Sequence, residues 1–301
     1  MLFPTTATRM QPLEFPLLAE KQVAVSVLRL DEIHPIVSGN KLFKLHYFLQ
    51  DALQRPAPGI VTFGGAYSNH LAATAFACSE YKLKSIGIVR GEQPAILSHT
   101  LQQCRDYGMQ LIFVSREQYA RKEGLEFLND IDIKYKDYLI VPEGGYHPSG
   151  ALGAALIMDL VGKEVTHICC AVGTATTLAG LLLGASDSQQ VVGFPVLKGM
   201  DDLQERLLFL TAREYSSEQL QIMNSYLFGG YAKRMPALID FMNSFFNSTD
   251  IPTDFVYTAK MMFGVMDCIN KNFFPTGSRI VCMHTGGLQG NLSLPGEALS
   301  F

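Results

Sequence analysis

The sequence predicts an α/β fold in which two parallel-rich sheets are wrapped by helices, and three observations carry that expectation. Short apolar runs rich in Val and Ile alternate with segments of helix length, the pattern of strands buried on both faces of a parallel sheet. The runs fall into two sets, one confined to the first half of the chain and one drawn from both ends. With 301 residues, the chain exceeds the roughly 250–300 at which a single core stops growing.

Taken in order, VAVSVLRL (23–30) is the first run, followed by a helix over 42–54 whose apolar stripe is Leu42, Leu45, Leu49 and Leu53. IVTF (60–63), SIGIVR (85–90), QLIFVS (110–115) and YLIVPE (138–143) come next, separated by helical segments near 70–80, 95–106 and 117–129. HICCAV (167–172), the apolar helix LAGLLLG, VVGFPVL (191–197), SYLF (225–228) and RIVCMH (279–284) complete a second sheet together with the first run. The expected division is therefore a smaller domain, 44–143, inserted into a larger one made of 1–43 plus 144–301. No internal repeat, low-complexity segment or long polar linker interrupts this order.

Composition narrows the function classes. Hydrophobic residues make up 48% and charged residues 17%, below the roughly 25% charged usual for soluble domains. Much surface is thus expected in a deep core or a subunit contact, and a homodimer is the expected assembly. Net charge is −4 and the basic residues are scattered, so nucleic acid is not an expected partner. Cys78, Cys104, Cys169, Cys170, Cys268 and Cys282 form no C-x-x-C pair and read as reduced core thiols rather than metal ligands. The opening MLFPTTATRMQPLEFPLL lacks a basic region followed by an apolar one, and no apolar stretch approaches the roughly 18–20 residues of a membrane span. A cytoplasmic protein without membrane contact is expected.

Nucleotide and metal fingerprints are absent: there is no G-x-x-x-x-G-K-[ST], no G-x-G-x-x-G after a predicted strand and no H-E-x-x-H. What recurs is small-residue turns at strand ends. Ser38-Gly39-Asn40-Lys41 precedes the helix over 42–54, placing Lys41 where the helix dipole disfavours a cation. The conflict disappears if Lys41 is an imine nitrogen. Lys44, one turn on, can meet an anion such as phosphate; alternatively both lysines are solvated. In Phe63-Gly64-Gly65-Ala66-Tyr67-Ser68-Asn69-His70 the glycines permit close backbone approach, while Ser68 and Asn69 either contact a ligand or cap the following helix. Gly173-Thr174-Ala175-Thr176-Thr177 opens an apolar helix with exposed N–H groups and three hydroxyls, which suits a phosphate that stays bound. An ordinary capped turn is the alternative there. Glu143-Gly144-Gly145 and His284-Thr285-Gly286-Gly287 are two further turns of this kind. Tyr231 and Tyr257 stand out only by setting, since a tyrosine ring more often packs in a core.

Together S-G-N-K-L-F-K-L, F-G-G-A-Y-S-N-H, P-E-G-G, G-T-A-T-T-L-A-G-L, Y-T-A-K and H-T-G-G-L-Q-G resemble, in order and spacing over nearly the whole chain, the family of 1-aminocyclopropane-1-carboxylate (ACC) deaminase and D-cysteine desulfhydrase. The resemblance implies pyridoxal-phosphate (PLP) fold type II, with two αβα domains and the cofactor in the cleft between them. It further implies Lys41 as the Schiff-base lysine and Lys44 near the phosphate. Ser68 would face the substrate carboxylate and Cα, and Asn69 the ring hydroxyl of the cofactor. Gly173, Thr174, Ala175, Thr176 and Thr177 would hold the phosphate. Tyr231 and Tyr257 match the two active-site tyrosines, and Thr285 the hydroxyl against the pyridine nitrogen. The chain departs from its relatives with Leu28-Arg29-Leu30-Asp31-Glu32 before the lysine, Y-T-A-K for Y-T-G-K, A-T-T for G-G-T, and F-G-G-Y-A around Tyr231.

Where ACC deaminases carry a glutamate after the second tyrosine, this chain has Thr258, and Thr285 is also neutral. A neutral partner makes the pyridine ring a weak electron sink. That favours β-elimination from a small amino acid, D-cysteine being the family precedent, over opening a cyclopropane. The alternatives are an ACC deaminase, another PLP lyase, racemase, dehydratase or β-replacement enzyme, or a non-catalytic PLP-binding protein of cofactor homeostasis.

Overall fold

A computed structural model describes residues 8–34, 37, 39–54, 59–122 and 124–301. Ser38, first residue of the lysine-bearing turn, lies outside them. Among the described residues ten strands form two sheets: β1 (Met10–Pro12), β2 (Ala24–Leu28), β3 (Gly59–Gly64), β4 (Lys84–Arg90), β5 (Gln110–Val114), β6 (Tyr138–Val141), β7 (His167–Val172), β8 (Gln190–Pro195), β9 (Leu220–Ile222) and β10 (Arg279–Met283). One sheet has the order β5-β4-β3-β6 and is parallel throughout; the other has the order β1-β2-β10-β7-β8-β9, with only β1 antiparallel. Parallel pairing brings the carboxyl ends of each sheet's parallel strands to one side, where ligands of α/β proteins bind.

The helix Lys41–Gln54 lies between the sheets. Its Leu42, Phe43, Leu45, Phe48 and Leu49 are buried in one cluster with Ile60 and Val141 of the four-stranded sheet and Ile168 of the six-stranded one. At about 1.5–3 kcal/mol for each fully buried large apolar side chain, these five residues dominate the helix's contribution to stability. The helix Pro148–Ala155 approaches so closely that a Cβ on Gly153 would stand 2.2 Å from the Phe43 carbonyl oxygen.

Several local expectations differ from the structure. Leu53 is exposed, and Ala52 takes the inward position on that turn instead. The helix expected over 117–129 is two, Arg116–Ala120 and Leu125–Lys134, because Gly124 adopts extended backbone between them. The helix expected from 95 begins at His99, where the Ser98 hydroxyl caps the Leu101 N–H. SYLF at 225–228 is no strand: Asn224–Tyr226 is a 3-10 turn, and the edge strand is β9, three residues earlier. The Tyr226 hydroxyl donates to Asp267 at 2.8 Å while its ring packs on Phe194, so tertiary contact curls this segment out of the sheet. All six cysteines are buried and free. No described helix is long and apolar enough to cross a membrane.

Candidate active site

All five small-residue turns converge on one cavity of about 1010 Å³, lined by Lys41, Lys44, Ser68, Asn69, Gly144, Gly173 to Thr177, Tyr231, Tyr257, Thr285 and Gly287 among others. The turns leave the ends of β3, β6, β7 and β10, with the fifth at the start of the helix Lys41–Gln54. Lys41, Lys44, Ser68, Asn69, Gly173 to Thr177, Tyr231, Tyr257 and Thr285 therefore line a single space.

Lys41 reaches that space because of Gly39. Gly39 has φ +87°, and a Cβ there would stand 2.0 Å from the Thr285 carbonyl oxygen, so only glycine lets the lysine turn lie against the turn after β10. The Lys41 amine donates to the Asn40 side-chain oxygen, and the Asn40 amide donates to the Thr177 hydroxyl. This chain couples the lysine to the Gly173–Thr177 loop. Burial lowers the Lys41 amine to about 8, with the Asp254 carboxylate opposing the shift. Lys44 is buried and donates to the Gly144 carbonyl at 3.1 Å. Burial first, then the charge on Lys41, holds its amine well below the ordinary range. The solvated-lysine alternative is thereby corrected: Lys44 is packed under the cavity.

Ser68 serves both readings. Its oxygen caps the helix Asn69–Glu80 by accepting from the Leu71 N–H at 3.2 Å, and it also lines the cavity, where its hydroxyl hydrogen is still available. Asn69 Oδ1 and His70 Nδ1 are buried without hydrogen-bond partners among the described residues. Burial, then the Lys44 and Lys41 charges, holds His70 down to about 3, so it is neutral. The helix Thr176–Gly184 has no side-chain cap and starts from Ala175, whose φ of +65° falls in the left-handed region that favours glycine. Thr176 and Thr177 are buried at its N-terminus. Tyr257 donates to Tyr231 at 3.3 Å, hydroxyl to hydroxyl; burial, then Tyr231, raises the Tyr257 phenol. Lys260 fixes the Tyr231 turn by donating to the carbonyls of Leu227 at 2.9 Å and Gly230 at 2.7 Å.

One expectation is corrected. Thr258 does not line the cavity: its hydroxyl donates to Asp254 Oδ1 at 2.7 Å and accepts from the Asp254 N–H at 2.8 Å. Asp254 does line it, and sequence reasoning missed it. Each of its oxygens accepts two hydrogen bonds, Oδ1 from the Thr258 N–H and hydroxyl, Oδ2 from the Val256 and Tyr257 N–H groups. Those four bonds fill the roughly four acceptor sites of a carboxylate. The sequence signal was an acidic residue set among apolar ones just before a helix, in Thr253-Asp254-Phe255-Val256.

These features fit an anionic aromatic cofactor. The half-buried Lys41, the buried Lys44, an uncapped helix N-terminus carrying hydroxyls, and unpartnered Asn69 and His70 atoms are what a phosphate dianion and a ring hydroxyl satisfy. Residues 5–286 match the model of the family described as pyridoxal-phosphate dependent enzymes. The chain belongs to that family. Within this pyridoxal-phosphate dependent family it is similar to a protein of Pyrococcus abyssi named putative 1-aminocyclopropane-1-carboxylate deaminase, 29% identical over 84% of this chain and 81% of the relative. It is likewise similar to the D-cysteine desulfhydrase of Klebsiella pneumoniae, 25% identical over 92% of this chain and 91% of that one. A crystal structure of an ACC deaminase homologue superposes with TM-score 0.79 and 26% identity, covering 97% of this chain and 92% of the other. The fold is thus the type II architecture of these PLP enzymes.

The Gly173–Thr177 loop yields a direct test. Losing one charge-assisted hydrogen bond costs about 1.5–3 kcal/mol, or roughly 10–150-fold in affinity. Thr176→Val should weaken PLP by about that factor in a cofactor titration. Thr177→Val should weaken it more, because the Thr177 oxygen also accepts from Asn40. Unchanged affinity in both variants would place the phosphate elsewhere.

Proposed function

We propose that this PLP enzyme eliminates a leaving group from Cβ of a small amino acid, D-cysteine being the reference substrate, to give a keto acid and ammonia. The cofactor supplies an electron sink for the charge left at Cα. Lys41 anchors it and then holds or returns the proton at Cα, a role suited to an amine lowered to about 8. Ser68 orients the substrate carboxylate, Asn69 meets the ring hydroxyl, and Lys44 with the Gly173–Thr177 loop holds the phosphate. The hydrogen-bonded Tyr257–Tyr231 pair handles a proton at the departing group. In this reading residues 44–143 form the smaller domain between the flanks 1–43 and 144–301; every strand of the four-stranded sheet falls between 59 and 141. The low charge content supports a homodimer.

The observation that favours elimination over ring opening is the commitment of Asp254. It is a carboxylate of the cavity wall, yet its oxygens are occupied by the helix start it caps. Thr285, neutral and lining the cavity, is left as the partner for a ring nitrogen. A neutral partner leaves that nitrogen largely unprotonated, so charge at Cα is best relieved by prompt loss of a good leaving group. Comparison of kcat/KM for ACC and both cysteine enantiomers, with keto acid and ammonia as the readout, tests this. Much faster release of sulfide and pyruvate from D-cysteine is expected. Equal or faster turnover of ACC would overturn the electron-sink argument, and no turnover of any of the three would favour another substrate or a non-catalytic PLP-binding role.

A further inference from the structure

The cavity extends beyond the residues assigned above, along a wall built from β4 and the segment after β5. Arg90, the last residue of β4, lies beside the Ser68 turn: a Cβ on Gly65 would stand 3.4 Å from Arg90 Nη2. Its guanidinium carbon is 5.9 Å from the centre of the Tyr119 ring, and Lys122 Nζ is 5.3 Å from the same centre. Arg90, Arg116, Tyr119, Lys122 and Glu143 all line the cavity. Tyr119 is 3% exposed, and its hydroxyl has no hydrogen-bond partner among the described residues. Burial, then the neighbouring Glu143 carboxylate, raises the Tyr119 phenol.

The charges on the wall do not cancel. Lys122 pairs with Glu143 at 3.4 Å, whereas no described carboxylate pairs with Arg90 or Arg116. Two guanidinium groups and a buried phenol thus face the same space as the Ser68 turn. A carboxylate two or three bonds beyond Cα would meet both guanidinium groups.

We propose that Arg90, Arg116 and Tyr119 form a subsite for a second carboxylate, carried on the side chain of the amino-acid substrate. The inference rests on the reading of Ser68 as the anchor of the first carboxylate, and it adds to the reference substrate a class of dicarboxylic or β-substituted amino acids whose side chain ends in an anion. Arg90 is a specificity-determining residue in this arrangement. It lies beside the turn that holds the first carboxylate, at the end of β4.

Succinate and butyrate separate the two carboxylate positions, because they have the same chain length and differ only in the second carboxylate. Their affinities for the PLP-loaded protein can be read by calorimetry without turnover. Succinate is expected to bind about tenfold or more tightly than butyrate, with the preference shrinking as salt is raised, since the arginines are exposed. Arg90→Gln should abolish the preference while leaving butyrate within twofold. Tyr119→Phe, a substitution that keeps the ring packing, should reduce it. Equal binding of succinate and butyrate by the unmodified protein would overturn the subsite. Parallel weakening of both ligands by Arg90→Gln would also overturn it, by placing Arg90 on the first carboxylate. A succinate preference in a protein that turns over no amino acid would retain the subsite and count against the proposed reaction alone.

Discussion

Lys41→Ala protein is expected to lose the visible absorbance of the lysine-linked cofactor and nearly all turnover. Two roles disappear together, the covalent anchor and the group that moves the proton at Cα. Loss of general acid-base catalysis alone costs roughly 10²–10⁴-fold. Cofactor should still bind, more weakly, because Lys44 and the Gly173–Thr177 loop remain. The unmodified protein carries a companion signature. An amine lowered to about 8 by burial is free in about one molecule in ten at pH 7, against about one in 2,500 for an ordinary lysine near 10.4. Only the free amine captures the aldehyde, so capture by cofactor-free protein should speed up with pH and level off above about 8. A spectrum unchanged in Lys41→Ala would remove the central assignment, and a capture rate still climbing at pH 10 would show that the amine is not depressed.

Gly39→Ala should produce the second-largest effect, although Gly39 has no side chain to contribute. Its backbone has φ +87°, and an added Cβ would stand 2.0 Å from the Thr285 carbonyl oxygen and 2.8 Å from the Gly286 nitrogen. Both obstacles are backbone on the turn after β10, which is held between β2 and β7 and cannot retreat. Left-handed strain of about 1–2 kcal/mol adds to overpacking of about 1–3 kcal/mol, so a loss of roughly 3 kcal/mol is expected, about 5 °C in melting temperature. Because Lys41 is two residues away, the folded fraction should also take up cofactor poorly. Thermal melts and absorbance of the reconstituted protein measure both. Normal stability together with normal cofactor absorbance would refute the close-approach argument.

Much of the site was legible because its chemistry is written in local patterns. Glycine-rich turns after apolar runs mark the carboxyl ends of parallel strands whatever else surrounds them, and they led to Lys41, Ser68, Asn69, the Gly173–Thr177 loop and Thr285. Asp254 was not legible, since a carboxylate's role depends on which N–H groups the fold turns toward it. Here a helix start presents three backbone amides and a hydroxyl. Thr258 was misread for the same reason: its neighbour in sequence lines the cavity, while its own hydroxyl is turned back to Asp254. Arg90 and Tyr119 are 29 positions apart in the numbering, and no local spacing signals that they meet.

By itself the sequence determined the α/β class, the two sets of strands, and residue types suited to a phosphorylated cofactor. Those follow from periodicity and turn chemistry, which act over a few residues. Only the tertiary structure decided which polar groups are already satisfied and which remain open toward the cavity: Asp254 closed by its four donors, Asn69 Oδ1 and His70 Nδ1 left open. The physical reason is that hydrogen-bond capacity and desolvation are properties of a place in the fold, assembled from segments distant in the chain, rather than of a residue and its neighbours.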